Sequence, residues 1–431
     1  MTQTPTLIIL AGGASSRMWP LREKSLIRFG AESLLLTQLR RYQALGFADV
    51  IIVANPENEP DIHAQVQAIE DLQVRVVVQE QPRGMGDALL QAAPLFADRP
   101  DVPVYINQVH DVVELALHER MLAQFRAKPD ESILAAMAVE SYFPGGYLTL
   151  DADGRIQGVI EKPGAGNEPS NLVSMVVHIH SHAGRLFAAI AEEYAKPDST
   201  DDHYERAMSQ LMQTQTYRAM AYQGHWSALK YPWHVLDIMD YFLGQIKGQQ
   251  VAESAFIAPT ASLVGDVFIG ENARIFPGAA VVGPAYIGAG VIVGNNALVR
   301  NSMVLEGANV GFTTEVARSY VAEGCQMHAC RVLDSVFAPD VNFSAGCTTA
   351  NLRIDKGFVS STVKGDKLNT GRDKLGAIVG AGAFLGVDVM TMPGVKVGEA
   401  AEVGPGVHVQ QDIQNRQRVY VKQSLVVVDP D

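Results

Sequence analysis

Cysteine is scarce in this 431-residue chain, which has only Cys325, Cys330 and Cys347. An odd number clustered late offers no disulfide framework. No companion ligands stand at finger-like spacing, so the three read as small buried residues rather than zinc ligands. Positive charge is also in short supply: 34 lysines and arginines face 47 aspartates and glutamates, for a net charge of −13. That balance argues against a general nucleic-acid binder but leaves room for one local basic pocket that holds phosphates. There is no apolar run long enough to span a bilayer and no charged-then-apolar leader. The expectation is a soluble, cytoplasmic protein that engages neither membrane nor nucleic acid.

Two familiar phosphate-binding signatures are missing as well. A Walker A loop ends in Gly-Lys-Ser/Thr, but here Lys24 and Ser25 follow Glu23. The dinucleotide fingerprint needs three spaced glycines, and the opening stretch "LIILAGGASSRMWPLREKSL" has only the adjacent pair Gly12 and Gly13. What is present is a short aliphatic run closed by small residues, which reads as a buried strand feeding a loop. Glycines there let backbone N–H groups approach an anion, and Arg17 and Lys24 stand just beyond to neutralise it. The stretch reads as a phosphate cradle, against the plainer alternative of an ordinary strand-to-helix turn.

The length allows two or three domains, and 47% hydrophobic with 19% charged residues is ample for a sizeable core. Up to about Leu243 the runs "TLIIL", "DVIIVA", "VRVVVQ", "VPVYINQ" and "SILAAMAV" alternate with amphipathic stretches, which implies a mostly parallel sheet with helices on its faces. Ligands of such a sheet bind beyond the carboxyl ends of the strands, where the first loop lies. The rhythm then changes to six. Ile257, Leu263, Ile269, Ile275, Val281, Ile287, Val293, Val299 and Leu305 keep one interval, and the register returns at Val379, Leu385, Thr391, Val397, Val403 and Val409. Neither a helix nor an alternating strand sustains that period, whereas a β-helix stacks such residues into one apolar column. Between the runs, "NLRIDKGFVSSTVKGDKLNTGRDKLG" is polar and basic and reads as a surface arm.

Cradle, α/β half and hexad half together resemble sugar-1-phosphate nucleotidyltransferases with a left-handed β-helix domain. Within that family the chain resembles the bifunctional N-acetylglucosamine-1-phosphate uridylyltransferase/glucosamine-1-phosphate acetyltransferases. The resemblance implies a Rossmann-like α/β nucleotidyltransferase domain over 1–245, a left-handed parallel β-helix of hexapeptide repeats over 253–415 and a tail over 416–431. It implies that Ala11, Gly12 and Gly13 grip a nucleoside triphosphate, that Arg17 faces the leaving pyrophosphate, and that Lys24 faces the reacting phosphates. "QEQPRGMGDAL" resembles the base-reading segment, with Gln79 and Gly84 on a pyrimidine edge, and "VYINQVHDV" ends in Asp111, the implied Mg²⁺ ligand. "GGYLTLDADGRIQGVIEKP" resembles the sugar-binding turn and strand, which gives Gly146, Glu161 and Lys162. Two places depart from the pattern. Trp-x-Asp, which brings a second carboxylate to the metal, is here Trp226, Ser227 and Ala228; Asn-x-Gly, which contacts the sugar, is Ser174, Met175 and Val176.

In the hexad half, "HACRVLDSVFAPDVNFSAGCTTAN" can be laid without gaps on the acetyltransferase segment. His328 takes the catalytic histidine's place, and Asp334, Asn342, Ala345, Gly346 and Asn351 keep their spacing. The resemblance implies an acetyl-coenzyme A and amino-sugar site that includes Asn351 and Lys374. A second histidine found in archaeal relatives is replaced by Ile354. His328 therefore has two readings, as a general base or as a histidine merely seated beside a coil.

The function these residues imply is transfer of a nucleotidyl group from UTP or dTTP to a sugar 1-phosphate with release of pyrophosphate. Mg²⁺ is the implied cofactor, acetyl-coenzyme A an implied second co-substrate, and a homotrimer the implied assembly. The alternative is a non-catalytic regulatory or scaffold protein built on the same two domains.

Overall fold

The computed structural model describes residues 4–197 and 201–428. It has two compact units, one of Met1–Ala14 with Leu34–Ala228 and one of Ser15–Ser33 with Leu229–Asp431.

The first unit is built on a nine-stranded sheet. Its strands are β1 (Thr6–Leu10), β2 (Asp49–Ala54), β3 (Gln73–Val78), β4 (Val104–Gln108), β6 (Ser132–Ala138), β7 (Gly146–Leu150), β8 (Ile156–Glu161), β9 (Leu172–His180) and β10 (Tyr217–Tyr222), while β5 (Asp111–Val113) and β11 (Trp226–Ala228) form a separate ribbon. The main order is β10-β6-β9-β4-β1-β2-β3. The strands β1, β2, β3 and β4 pair in parallel, as do β6 and β10. Within that order β9 runs against its neighbours β4 and β6, and off it β7 pairs antiparallel with β8 and β9. Every residue of β1 is buried, as expected for an aliphatic run covered on both faces.

Helices α1 (Leu34–Ala44), α2 (Glu59–Val66), α3 (Met85–Ala92), α4 (Leu115–Ala127), α5 (Ala183–Tyr194) and α6 (His203–Leu211) follow the strands. On one face, Leu89 of α3, Leu186 and Ile190 of α5 and Tyr204 of α6 join Ile8, Ile51, Ile106 and Leu134 of the sheet in one core.

The second unit is a left-handed parallel β-helix of three sheets with eight, nine and eight strands. Rungs stack in register, as in Ile257↔Ile275, Ile275↔Val293 and Val293↔Val310. The hexad residues form the continuous buried column that the six-residue period demands. One register differs from the sequence expectation: Ile287 pairs with Val304, not Leu305.

The reason lies in the corners. Asn301, Arg318 and Asp334 turn successive coils with φ of 48°, 49° and 46°, and each is followed by a fully buried serine, Ser302, Ser319 or Ser335. Each serine hydroxyl donates back across its own corner, to the carbonyls of Arg300, Ala317 and Leu333. Each also accepts the amide of the next coil: Ser319 N–H to Ser302, Ser335 N–H to Ser319 and Ala377 N–H to Ser335, at 3.0, 3.1 and 3.1 Å. This serine ladder satisfies buried backbone groups at a corner one residue shorter than the hexad pattern requires. The surface arm contains a hairpin, Ser360–Val363 with Asp366–Asn369, whose Ser361 hydroxyl donates to the Gly394 carbonyl at 2.8 Å.

The ladder and the column respond oppositely to removing a hydroxyl. Ser319→Ala strands the buried Ser335 amide and should lower unfolding stability by about 1–3 kcal/mol. The Thr391 hydroxyl is buried with no hydrogen-bond partner among the described residues, so Thr391→Val should raise stability by roughly 1 kcal/mol. Denaturant titration of the two variants checks both signs.

Candidate active sites

In the first unit, β1 delivers the glycine pair. Ala11 has both backbone groups engaged, its N–H on Val53 O at 2.8 Å and its carbonyl taken by the Asn58 side chain at 2.9 Å. The candidate anion donors are therefore the amides of Gly12 and Gly13. A Cβ on Gly12 would lie 3.0 Å from Gln79 Oε1 and 3.1 Å from Ala54 O, so a larger residue would fit only if the strand or the Gln79 side chain gave way.

Gln79 is itself buried, and its amide nitrogen donates to Gly84 O at 3.0 Å and to Asp87 Oδ2 at 2.9 Å. Both partners are pure acceptors, which fixes the amide's orientation and leaves Oε1 beside Gly12. Gly84 has φ +93° and caps α3, a conformation that favours glycine. The structure thus gathers Gly12, Gln79 and Gly84.

Asp111 opens β5 and is buried. In the antiparallel ribbon its register partner is Ala228, with Val112 opposite Ser227. Directly opposed residues bring their Cβ atoms to roughly 5 Å, so the residue facing Asp111 offers a methyl group and no second carboxylate. Among the described residues no group of three or more His, Cys, Asp or Glu could hold a metal.

Of the sugar candidates, Gly146, Glu161 and Ser174 lie on β7, β8 and β9, and Lys162 follows β8 directly. Gly146 pairs with Glu161, and a Cβ on Gly146 would crowd Val159 at 2.8 Å and Glu161 Oε2 at 3.3 Å. Lys162 Nζ meets Glu161 Oε1 at 2.8 Å. That bond, with Asp201 and Glu205 nearby, raises the lysine's pKa against the opposing effect of burial. Glu205 of α6 was not legible as part of this group. Burial first, then Glu161 and Asp201, push its carboxyl up to about 8.

Ser174 on β9 bonds His178 Nε2 at 3.1 Å, and His178 Nδ1 bonds the Tyr204 hydroxyl at 2.8 Å. Tyr204 also meets His180 Nε2 at 2.9 Å, and His180 Nδ1 meets Tyr217 at 3.0 Å. Burial lowers the pKa of both histidines, that of His178 to about 3, so this chain is uncharged.

In the second unit, the loop of Arg17 and Lys24 is organised by Glu23. Its carboxylate accepts from the Ser15 hydroxyl at 3.1 Å, the Ser25 amide at 3.1 Å and the Ser25 hydroxyl at 2.9 Å. The Arg17 guanidinium lies 5.7 Å from the Tyr231 ring centre. Lys24 opens a short 3₁₀ turn, Lys24–Leu26.

The serine-ladder corner carries a second polar site. Arg318 grips the buried Asp334 with two bonds of 2.7 Å, and the Asn351 amide bonds the same carboxylate. Arg318, Asp334, Gly371, Arg372, Asp373 and Lys374 line a cleft of about 420 Å³. His328 is exposed and leaves a different corner, after the strand Gln326–Met327. A single chain therefore places Asn351 and Lys374 near one another but not with His328. The three cysteines are buried free thiols, with pKa values pushed up by burial to about 12, 12 and 11 for Cys325, Cys330 and Cys347.

Comparison with known proteins gives two family matches: Nucleotidyl transferase over residues 6–229 and GMPPB C-terminal domain over residues 251–360. The bifunctional sugar-1-phosphate nucleotidylyltransferase/acetyltransferase of Sulfurisphaera tokodaii is 28% identical over 413 residues, covering 94% of this chain and 97% of that protein. The bifunctional protein GlmU of Methanococcus vannielii is 28% identical, with 97% and 98% covered. GlmU of Methanococcus maripaludis is 31% identical over 284 residues, with 65% and 67% covered.

The raised pKa of Glu205 has a measurable consequence. The folded carboxyl holds its proton up to about 8, while in the unfolded chain it releases it near 4.3. Stability should therefore fall as pH rises between those values. The buried histidines, which take up protons only in the unfolded chain, contribute a slope of opposite sign that fades as pH rises past about 7.5. Glu205→Gln should flatten the loss of stability between pH 7 and 8, read by thermal unfolding at fixed ionic strength.

Proposed function

The chain belongs to the nucleotidyl transferase family, and we propose that it transfers a nucleotidyl group from a pyrimidine nucleoside triphosphate to a sugar 1-phosphate, releasing pyrophosphate. The observation that carries this reading is the Gly12–Gln79–Gly84 cluster. Gln79 Oε1 is a hydrogen-bond acceptor held against a glycine, 3.0 Å from where a Cβ there would lie. An acceptor there suits the N3–H of uracil or thymine and disfavours cytosine, whose N3 is itself an acceptor. UTP and dTTP are the favoured donors.

The acceptor's phosphate monoester already carries nearly two negative charges at neutral pH, because its second pKa is about 6. No general base is needed. The task is to align two polyanions and stabilise the charge that moves onto pyrophosphate. Gly12 and Gly13 amides are the proposed donors to the triphosphate, and Arg17 and Lys24 the proposed cations. The acceptor sugar is assigned to Gly146, Glu161, Lys162 and Ser174. Asp111 fits Mg²⁺, a hard ion that often binds one carboxylate and completes its shell with phosphates and waters; bound there, it would neutralise phosphate charge.

Arg17→Ala and Lys24→Ala should each slow pyrophosphate release by about a hundredfold or more, and Asp111→Asn should raise the Mg²⁺ concentration needed for half-maximal rate. A screen of UTP, dTTP, CTP, ATP and GTP against sugar 1-phosphates measures all of this. Wild-type turnover in both cation variants would remove the proposed roles.

A second reading, acetyl transfer from acetyl-coenzyme A to an amino-sugar 1-phosphate, is favoured by the polar cleft of Arg318, Asp334 and Lys374. An ammonium must lose a proton before it attacks a thioester, and His328 is the assigned base. Since one chain does not unite His328 with that cleft, the reading requires a second copy to bring them together, which the homotrimer implied by the resemblance would supply. Purified protein should release coenzyme A with an amino-sugar phosphate, and His328→Ala should abolish it. Absence of thiol release from protein active in pyrophosphate release would leave the β-helix as an assembly domain.

A further inference from the structure

The loop Ser15–Ser33 folds with the β-helix, and it is pinned there at both ends. At one end Arg28 donates to Glu306 at 2.7 Å, and the Tyr320 hydroxyl donates to the Arg28 carbonyl at 2.8 Å. The buried Phe29 stacks on Phe242 and meets Tyr320 with ring centres 5.5 and 5.8 Å apart. At the other end Trp19 Nε1 donates to Asn415 at 2.8 Å and Arg22 forms a two-bonded pair with Glu399. Lys24 lies between these anchors, and Arg17 just before them.

The second anchor is centred on Lys396. Its neighbour Val397 points into the column, so Lys396 faces outward and would ordinarily be solvated. Instead it is 2% exposed. Its ammonium is satisfied by the Thr362 carbonyl of the hairpin, by Asp412 at 3.7 Å and by the Trp19 ring at 4.7 Å. A buried cation is tolerated only with such partners, so hairpin, terminal coil and loop share one charged centre. An exposed pair such as Arg22–Glu399 contributes little by itself. The buried lysine and the Phe29 stack supply most of the rigidity, and the bonds of Trp19 to Asn415 and of Arg22 to Glu399 together set where the stretch before Lys24 lies.

We propose that the terminal coils of the β-helix hold the loop in its working conformation, which makes Lys396, Glu399 and Asn415 positioning residues for nucleotidyl transfer. This rests on the reading of Arg17 and Lys24 given above. Transition-state stabilisation depends on cations held in place before reaction, and small misplacements are costly. A loop released from the coils keeps its cations and loses their placement.

The test is the double variant Glu399→Ala/Asn415→Ala, with Lys396→Met as a separate variant, in the full-length protein. Amide exchange over residues 15–33 should accelerate, and kcat for pyrophosphate release should drop by about tenfold with the KM for sugar 1-phosphate unchanged. Wild-type kcat in the double variant and Lys396→Met overturns the proposal, whether or not the loop exchanges faster. A loss of kcat without faster exchange at 15–33 overturns it too. Failure of the underlying reading looks different: Arg17→Ala and Lys24→Ala would then release pyrophosphate at the wild-type rate.

Discussion

The apolar column at the centre of the β-helix cannot be completed one coil at a time. Each short strand finds its hydrogen bonds only in the coils before and after it, and each inward side chain is buried only by its neighbours in the stack. This leaves the interior almost no freedom of composition. Variation is confined to corners and outward faces, and that is where the chemistry of this unit collects. The shortened corners at Asn301, Arg318 and Asp334 exist because the serine ladder satisfies the amides they would otherwise strand. The fork of Arg318 on Asp334, and the Asn351 bond to it, are consequences of those corners falling one above another.

In the first unit the comparable constraint is the absence of a side chain at Gly12. Strand β1, Ala54 at the end of β2, and Gln79 after β3 converge on a point where a Cβ would be tightly crowded, 3.0 and 3.1 Å from its neighbours. Gln79 is held by two acceptors, so the atom it offers beside that glycine is decided by the fold rather than by a ligand. The Asp111–Ala228 pairing works the same way: an antiparallel register fixes which residue faces the aspartate, and here that residue brings no charge.

Arg17 and Lys24 follow the glycine pair in the chain, yet their loop is part of the second unit. A hexapeptide solenoid following a nucleotidyltransferase half is easily regarded as an appendage. The anchoring of Trp19, Arg22, Arg28 and Phe29 on its outer wall gives it a role in holding the cationic segment. It also explains a buried lysine at an outward position, which the hexad pattern has no reason to contain.

The fold was largely legible because its two halves have different periods. Aliphatic runs alternating with amphipathic stretches identified β1, β2, β3, β4 and β6, and the six-residue interval identified the column, since burial dictates residue type wherever the period is strict. The slip from Leu305 to Val304 was hidden because both are aliphatic and buried; corner length, not hydrophobicity, chose between them. Site residues that are adjacent in sequence, such as Gly12 and Gly13, were legible from residue type alone. Glu205 beside Glu161, Ala228 opposite Asp111, the histidine–tyrosine chain behind Ser174, and Lys396 under Trp19 were not. Each joins residues distant in the chain whose types are unremarkable by themselves, and a pKa, a ligand position or an anchor depends on what lies across the gap. Sequence alone determined which stretches must be buried and with what period; tertiary structure decided which polar groups face one another, because charge, register and desolvation act between neighbours in space.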